Sequence, residues 1–267
     1  MSRWRFKQSG GQKDRSARGL RRGAGQVVDR GWCEALEPRC LLSSGFTTEE
    51  VYFAELVNRA RSDPQAEGLR LGIDLTEGLT SEQAALLGTV EPLALDFSLT
   101  TAARAHSLDM ATRGFFDHIN PDGLNPTQRA QAAGYSGVTG EVIAVGQNSI
   151  DALYASWMDT PENRINLLSL LTSFDDGFHY DQIGPGFATD LGFADDYYTA
   201  MFGDPGTGSV ARLVGVVYDD ADADEFYSIG EGTAGVRIDV AAASDPETIV
   251  GTFTTDEAGN YQIVLGD

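Results

Sequence analysis

From Thr47 onward, apolar positions first recur at helical spacing and later alternate with polar ones, so the chain passes from helices to strands. Thr47 and Glu50 form a T-x-x-E capping box, opening a helix that carries Val51, Leu56, Val57 and Ala60. Asp63-Pro64 ends it, because a residue before proline is pushed out of helical geometry. Residues 68–90, rich in Leu, Gly and Thr with weak periodicity, read as an insertion with a short helix after Ser81. A second helix is expected to follow Ser98, with Leu99, Ala103, His106 and Met110 along one face and Gly114 as its stop. A third runs from Pro126 to Ala133, with Asn125 as N-cap, Pro126 at the first helical position and Gly134 just beyond.

Glu141–Val145 (EVIAV) reads as a strand. Ser149 caps a helix burying Ile150, Leu153 and Trp157, and Thr160-Pro161 restarts the chain as another with Ile165 and Leu168 inside. Ile183–Ala188 and Tyr197–Phe202 read as strands. Helices first and strands interleaved late predict an α+β layer architecture up to residue 203. A turn-rich linker, 204–208, follows. Beyond it RLVGVVY, GVRIDV, TIVGTFT and YQIVL all read as strands, predicting a small all-β sandwich module over 209–267. The ending on YQIVLGD fits either a last strand or a fragment.

Charge divides the chain in a second way. Residues 1–45 hold ten Lys/Arg against four Asp/Glu, whereas residues 46–267 hold nine against thirty-six. An acidic excess of that size opposes binding to nucleic acid, because phosphate would be repelled. It suits a protein that works outside the cell or binds divalent cations. No apolar run approaches the roughly 18 residues of a membrane span. The basic head also lacks the continuous apolar core, about 7–15 residues, of a standard signal peptide. Its Leu36–Ser44 stretch, LEPRCLLSS, resembles a short LEPRxLL leader near the start of many surface or exported bacterial proteins. Both cysteines, Cys33 and Cys40, lie in this head, and a disulfide between them would staple nothing beyond it.

Two places carry candidate chemistry. His118 and Glu141 stand beside predicted regular elements in a chain with three histidines, and together they could bind a metal or activate a water. They could equally pair with each other and anchor a loop. His106 reads as a hydrogen-bonded packing residue, His179 as a solvated loop residue, Trp157 as core, and Asp109 as facing solvent or capping a neighbour. The second place is Asp220, Asp222, Asp224 and Glu231, at positions 1, 3, 5 and 12 of an acidic loop, the oxygen spacing of a calcium site. Glu225 stands where such a loop has glycine, and the flanks are strands.

The ordered motifs between Thr47 and Gly203 resemble the bacterial branch of the CAP, or SCP-like, superfamily. They are Asn58-Arg59; Ala103 with His106-Ser107 and Asp109-Met110; Phe115-Phe116-Asp117-His118; Arg129 with Ala133-Gly134-Tyr135; Gly140-Glu141; Trp157-Met158; Arg164 with Asn166-Leu167-Leu168; and Tyr197-Tyr198. The resemblance implies an α-β-α sandwich over 46–203 with a cavity lined by paired His and Glu. His118 and Glu141 match two cavity positions, and Asn163 replaces the histidine of the family's G-H-R step. Zinc or another divalent metal wants three or four good ligands, so the implied metal affinity of this cavity is weak. The acidic loop with its flanking strands resembles calcium-binding Ig-like repeats of bacterial surface proteins, which would use Asp219 or Asp220, Asp222, Asp224 and Glu231. Together these resemblances imply an exported bacterial protein, extracellular or on the cell surface. Its ligand would be a small molecule, a lipid or a cell-surface component, and its β module would be calcium-stabilised. The competing expectation is a hydrolase in which Glu141 acts as general base on a water held by His118 or a metal.

Overall fold

The structure, a computed structural model, describes residues 45–172, 179–189, 191–206 and 211–264. The leader with Cys33 and Cys40, and residues 207 and 208 of the expected linker, lie outside the described residues. Among the described residues, seven helices precede or interleave with a four-stranded sheet: α1 Thr48–Ser62, α2 Pro64–Leu71, α3 Ser81–Ala85, β1 Ala94–Leu95, α4 Phe97–Arg113, α5 Pro126–Ala132, β2 Val138–Val145, α6 Ile150–Asp159, α7 Pro161–Leu167, β3 Gln182–Ala188 and β4 Tyr197–Asp204. The sheet order is β1-β3-β4-β2, parallel only at the β1–β3 edge.

The helix starts follow the capping chemistry. Thr47 and Glu50 bond reciprocally across the first turn of α1, and Asn125 with Gln128 does the same at α5. Two boundaries differ from expectation. The cap of α4 is Asp96, whose side chain accepts from Leu99 N–H, so the helix starts before Ser98. Asp63-Pro64 ends α1 but also begins α2: Asp63 accepts from Ala66 N–H and Pro64 takes the first helical position, where no N–H is needed. Residues 68–90, expected as an insertion, therefore start with the end of a helix that runs to Leu71 and stops at Gly72, at φ 70°.

Side chains on alternate faces of the sheet build two layers. Val142, Ala144, Ile183, Tyr198, Ala200 and Phe202 face α1, α6 and α7 and join the main core with Phe53, Leu56, Val57 and Trp157. Trp157 is 1% exposed and meets the edge of Phe53 at 5.3 Å between ring centroids. On the other face Met201 and Tyr135 pack with Leu99, Ala102, Ala103 and Ala130 of α4 and α5. This is an α-β-α arrangement. The helix α4 comes close to the sheet because β3 reads G-P-G-F: a Cβ on Gly184 would lie 2.3 Å from backbone atoms of Leu99 and Thr100. One on Gly186 would lie 2.1 Å from Arg104 N. Pro185 is tolerated between them because β1 ends at Leu95, opposite Ile183, leaving β3 an edge beyond that point.

The last four strands, β5 Arg212–Val216, β6 Arg237–Ala241, β7 Ile249–Thr254 and β8 Asn260–Val264, pair as two antiparallel ladders, β5–β8 and β6–β7. Ile238, Val240, Tyr261 and Ile263 form their small core. They are not apart from the rest: Tyr227 and Ala258 belong to the main core, and Gln262 Nε2 donates to Leu95 O at 3.0 Å.

Candidate functional site

Glu141 is the centre of the site. It sits on β2, facing the α5 side like Thr139, whose hydroxyl lies 2.8 Å from that of Thr127 on α5. Its side chain is 1% exposed. Oε1 lies 2.8 Å from His118 Nδ1 and Oε2 2.5 Å from Arg129 Nη2. A buried carboxylate needs a compensating charge, and Arg129, itself buried on α5, supplies a permanent one.

Arg129 also fixes the loop that carries His118. Its Nη1 donates to His118 O at 2.7 Å and to Leu124 O at 2.8 Å. Asn120 tightens the same loop by accepting from Leu124 N–H at 2.9 Å. His118 therefore stands on a loop held from below, with its ring 53% exposed. In the neutral ring, donation from Nδ1 to Glu141 leaves Nε2 with the lone pair. That hydrogen bond holds the imidazolium form and raises the His118 pKa above the ordinary histidine value.

His106 completes the cluster. It lies in α4, fully buried, with Nε2 3.0 Å from Asp117 O and 3.9 Å from Glu141 Oε1. A carbonyl only accepts, so Nε2 carries the proton. Burial lowers its pKa and keeps the ring neutral, outweighing the attraction of Glu141. The expectation of a hydrogen-bonded packing residue agrees with this placement. Asp109 pairs with Arg113 at 2.5 Å one turn on.

Asn163 does not join this group, a correction to the expected cavity. It lies on α7, which packs on the opposite face of β2: a Cβ on Gly140 would meet Asn166 Oδ1, and Leu167 shares a core with Val142. The alternation of β2 sends Glu141 one way and its even-numbered neighbours towards α7. Sequence reasoning gave Arg129 no role. The available signal was a basic residue on the inner side of a short helix, beside Ala130, with a strand glutamate as its natural partner. Next to the cluster, α4, α5 and residues 120–124 border a cleft of about 600 Å³, lined by His106 and Arg129 and not by His118 or Glu141.

Both oxygens of Glu141 are engaged by protein donors, Oε1 by His118 and Oε2 by Arg129. Arg129 against the same carboxylate opposes a cation there, so these residues do not fit the zinc implied by the resemblance.

The acidic loop does bring carboxylates together. Asp220, Asp222 and Asp224, all exposed, place an oxygen each within 4.8 Å of one another, close enough to share an ion. Ala223 and Glu225 adopt left-handed φ of 60° and 63°. Position six thus has the backbone that calcium loops obtain from glycine, with a glutamate in its place. The pKa of Asp222 rises, first through lost solvation and then through the charges of Asp224 and Glu231. Glu231 closes the loop instead of joining the three: its Oε1 accepts from Ala221 N–H and its Oε2 from Ser228 N–H, each at 2.8 Å.

Comparison with known proteins bears on the α-β-α part. YkwD of Bacillus subtilis, an uncharacterised protein, is 31% identical over 119 residues, which is 43% of this chain and 44% of YkwD, so the chain spans less than half of that relative. An extracellular SCP-domain protein from Bacillus anthracis superposes with a TM-score of 0.37 at 24% identity, covering 43% of this chain and 34% of that one. An outer surface protein from Borrelia burgdorferi gives 0.37 at 22% identity, covering 46% and 87%. The family model for the CAP, or cysteine-rich secretory protein, family matches residues 55–200, more than half of the chain, from within α1 to within β4. The chain belongs to the cysteine-rich secretory protein family.

Proposed function

We propose that this chain is an exported, non-catalytic binding protein of the cell exterior or surface. Its CAP domain presents a pre-organised histidine to a small ligand, a lipid or a cell-surface component. The observation that carries the reading is the His118–Glu141–Arg129 chain. A buried carboxylate, held through Oε2 by Arg129, orients a half-exposed imidazole through Oε1, and the other ring nitrogen accepts in the neutral ring and donates in the imidazolium. The family's secretory description, the acidity of residues 46–267 and the leader resemblance at Leu36–Ser44 support the location. No helix among the described residues is long and apolar enough to cross a membrane.

Calcium at Asp220, Asp222 and Asp224, with Glu231 closing the loop, belongs to the same reading; it relieves the repulsion among carboxylates and stiffens the C-terminal strands. Zinc has no part in it. The test is calorimetric titration of the metal-stripped chain with calcium and then zinc, beside an Asp222→Ala/Asp224→Ala variant and a His118→Ala variant. Calcium binding lost in the aspartate variant alone is the expected result. A zinc isotherm that His118→Ala abolishes, or peptide hydrolysis lost in His118→Ala, would overturn the non-catalytic reading.

A further inference from the structure

The cleft between α4 and α5 has features that the His118 site does not use. Part of its wall is short or aliphatic, Ala105 and Leu108 from α4, Leu124 from the loop, Ala132 from α5 and Ala133 at its C-cap, and the rest is polar. About 600 Å³ lies within the size range of small-molecule sites. Asp109, Arg113 and Asp122 form a closed ionic group along it, Arg113 lying 2.5 Å from one carboxylate and 2.9 Å from the other.

Two of the residues lining this cleft carry buried polar atoms without a partner. His106 is fully buried, and its Nδ1 has no hydrogen bond. Arg129 is 8% exposed, and its Nε has none either. Their roles are fixed. Because His106 Nε2 holds the proton against Asp117 O, Nδ1 is an acceptor; Arg129 Nε can only donate. Both residues converge on Glu141, at 3.9 Å and 2.5 Å. An unmet buried donor and acceptor cost stability, and a ligand group that meets both recovers it.

We propose that the α4–α5 cleft is a second binding site, for a small neutral molecule with an aliphatic body and a head that both donates and accepts one hydrogen bond, a carboxamide or a hydroxyl. The head donates to His106 Nδ1 and accepts from Arg129 Nε–H while the body lies along the alanine and leucine walls. Charged heads are excluded by the local balance. Arg129 and Glu141 already neutralise each other, the Asp109–Arg113–Asp122 group along the cleft carries one negative charge in excess and opposes an anion, and the Arg129 guanidinium at the head position opposes a cation.

The test uses the full chain and four probes of one chain length: hexanamide, 1-hexanol, hexanoate and hexylammonium, titrated while the backbone amides are followed by NMR. Hexanamide and 1-hexanol are expected to shift amides of α4 and α5 with millimolar dissociation constants, and the charged probes to bind at least about tenfold more weakly. Ala105→Leu, an exposed helical position on the cleft wall, is expected to fill the cleft and abolish the shifts with the fold intact. His118→Ala is expected to leave them unchanged, which separates this site from the one proposed above. Equal affinity for hexanoate and hexanamide, unaltered binding in Ala105→Leu, or no saturable shift with either neutral probe would overturn the proposal.

Discussion

Arg129 holds three things at once: the carboxylate of Glu141 and the carbonyls of His118 and Leu124. A planar guanidinium can serve several acceptors in this way, and an ammonium, a single point charge, serves them less well. Arg129→Met is expected to leave the Glu141 charge buried with His118 alone and to cost about 3–5 kcal/mol in urea denaturation at neutral pH. Arg129→Lys should lose less while still loosening residues 118–124. A loss under about 1 kcal/mol for the methionine variant would mean that the pair is no stronger than a surface ion pair and that the loop holds itself. Arg61 shows the same use of a buried cation elsewhere. It donates to Glu91 O at 2.8 Å and Tyr180 O at 3.0 Å, and burial pulls its pKa down to about 9.

The glycines of β3 decide how close α4 comes to the sheet, and so where His106 stands relative to Glu141. Gly186→Ala places a Cβ 2.1 Å from Arg104 N, against backbone that cannot move aside locally. The helix must shift, and overpacking of this kind costs about 1–3 kcal/mol. The expected outcome is a lower melting temperature together with movement of the His106 and His118 imidazole resonances in NMR. Unchanged histidine resonances would mean that the helix is not seated through Gly186. Element boundaries with caps were legible because a cap is local chemistry: Thr47, Asn125 and Ser149 all accept the hydrogen bonds that their positions predict. The rest depended on partners distant in sequence. The strand containing G-P-G-F was legible but the seating of α4 on its glycines was not, β1 is two residues long, and Asp63-Pro64 signals a start as much as a stop. The pairing of His118 with Glu141 was legible as one of two readings. The placement of Asn163 on the far face was not, since it follows from which face of β2 each helix covers.

At the scale of the whole molecule the C-terminal strands and the CAP domain share one packed surface. Tyr52 and Arg59, about two turns apart on α1, meet the middle of the acidic loop: Tyr52 lies 6.3 Å from both Phe226 and Tyr227, and Arg59 stacks 4.2 Å over Phe226. Two-stranded ladders are marginal by themselves, so β5–β8 and β6–β7 depend on this contact, and Tyr227→Ala is expected to cost about 3–5 kcal/mol. The same contact makes stability depend on pH. Glu55, between Tyr52 and Arg59 on α1, is pushed up to about 7 by burial. A carboxyl whose folded-state pKa is raised contributes stability that is whole below its ordinary value, near 4.5, and is lost as pH rises through 7. Tyr227 and Tyr261 both feel its charge, and Asp224 and Glu231 of the loop add more negative charge to this neighbourhood. The melting temperature is therefore expected to fall between pH 5.5 and 8, and Glu55→Gln to flatten that slope. Cutting the chain after residue 206 removes Tyr227 and Tyr261, returns the Glu55 side of α1 to water and should abolish the slope as well, at a lower melting temperature throughout. A slope that survives both the Gln variant and the truncation would place the titrating group elsewhere and show that the C-terminal strands ride on α1 without being coupled to it.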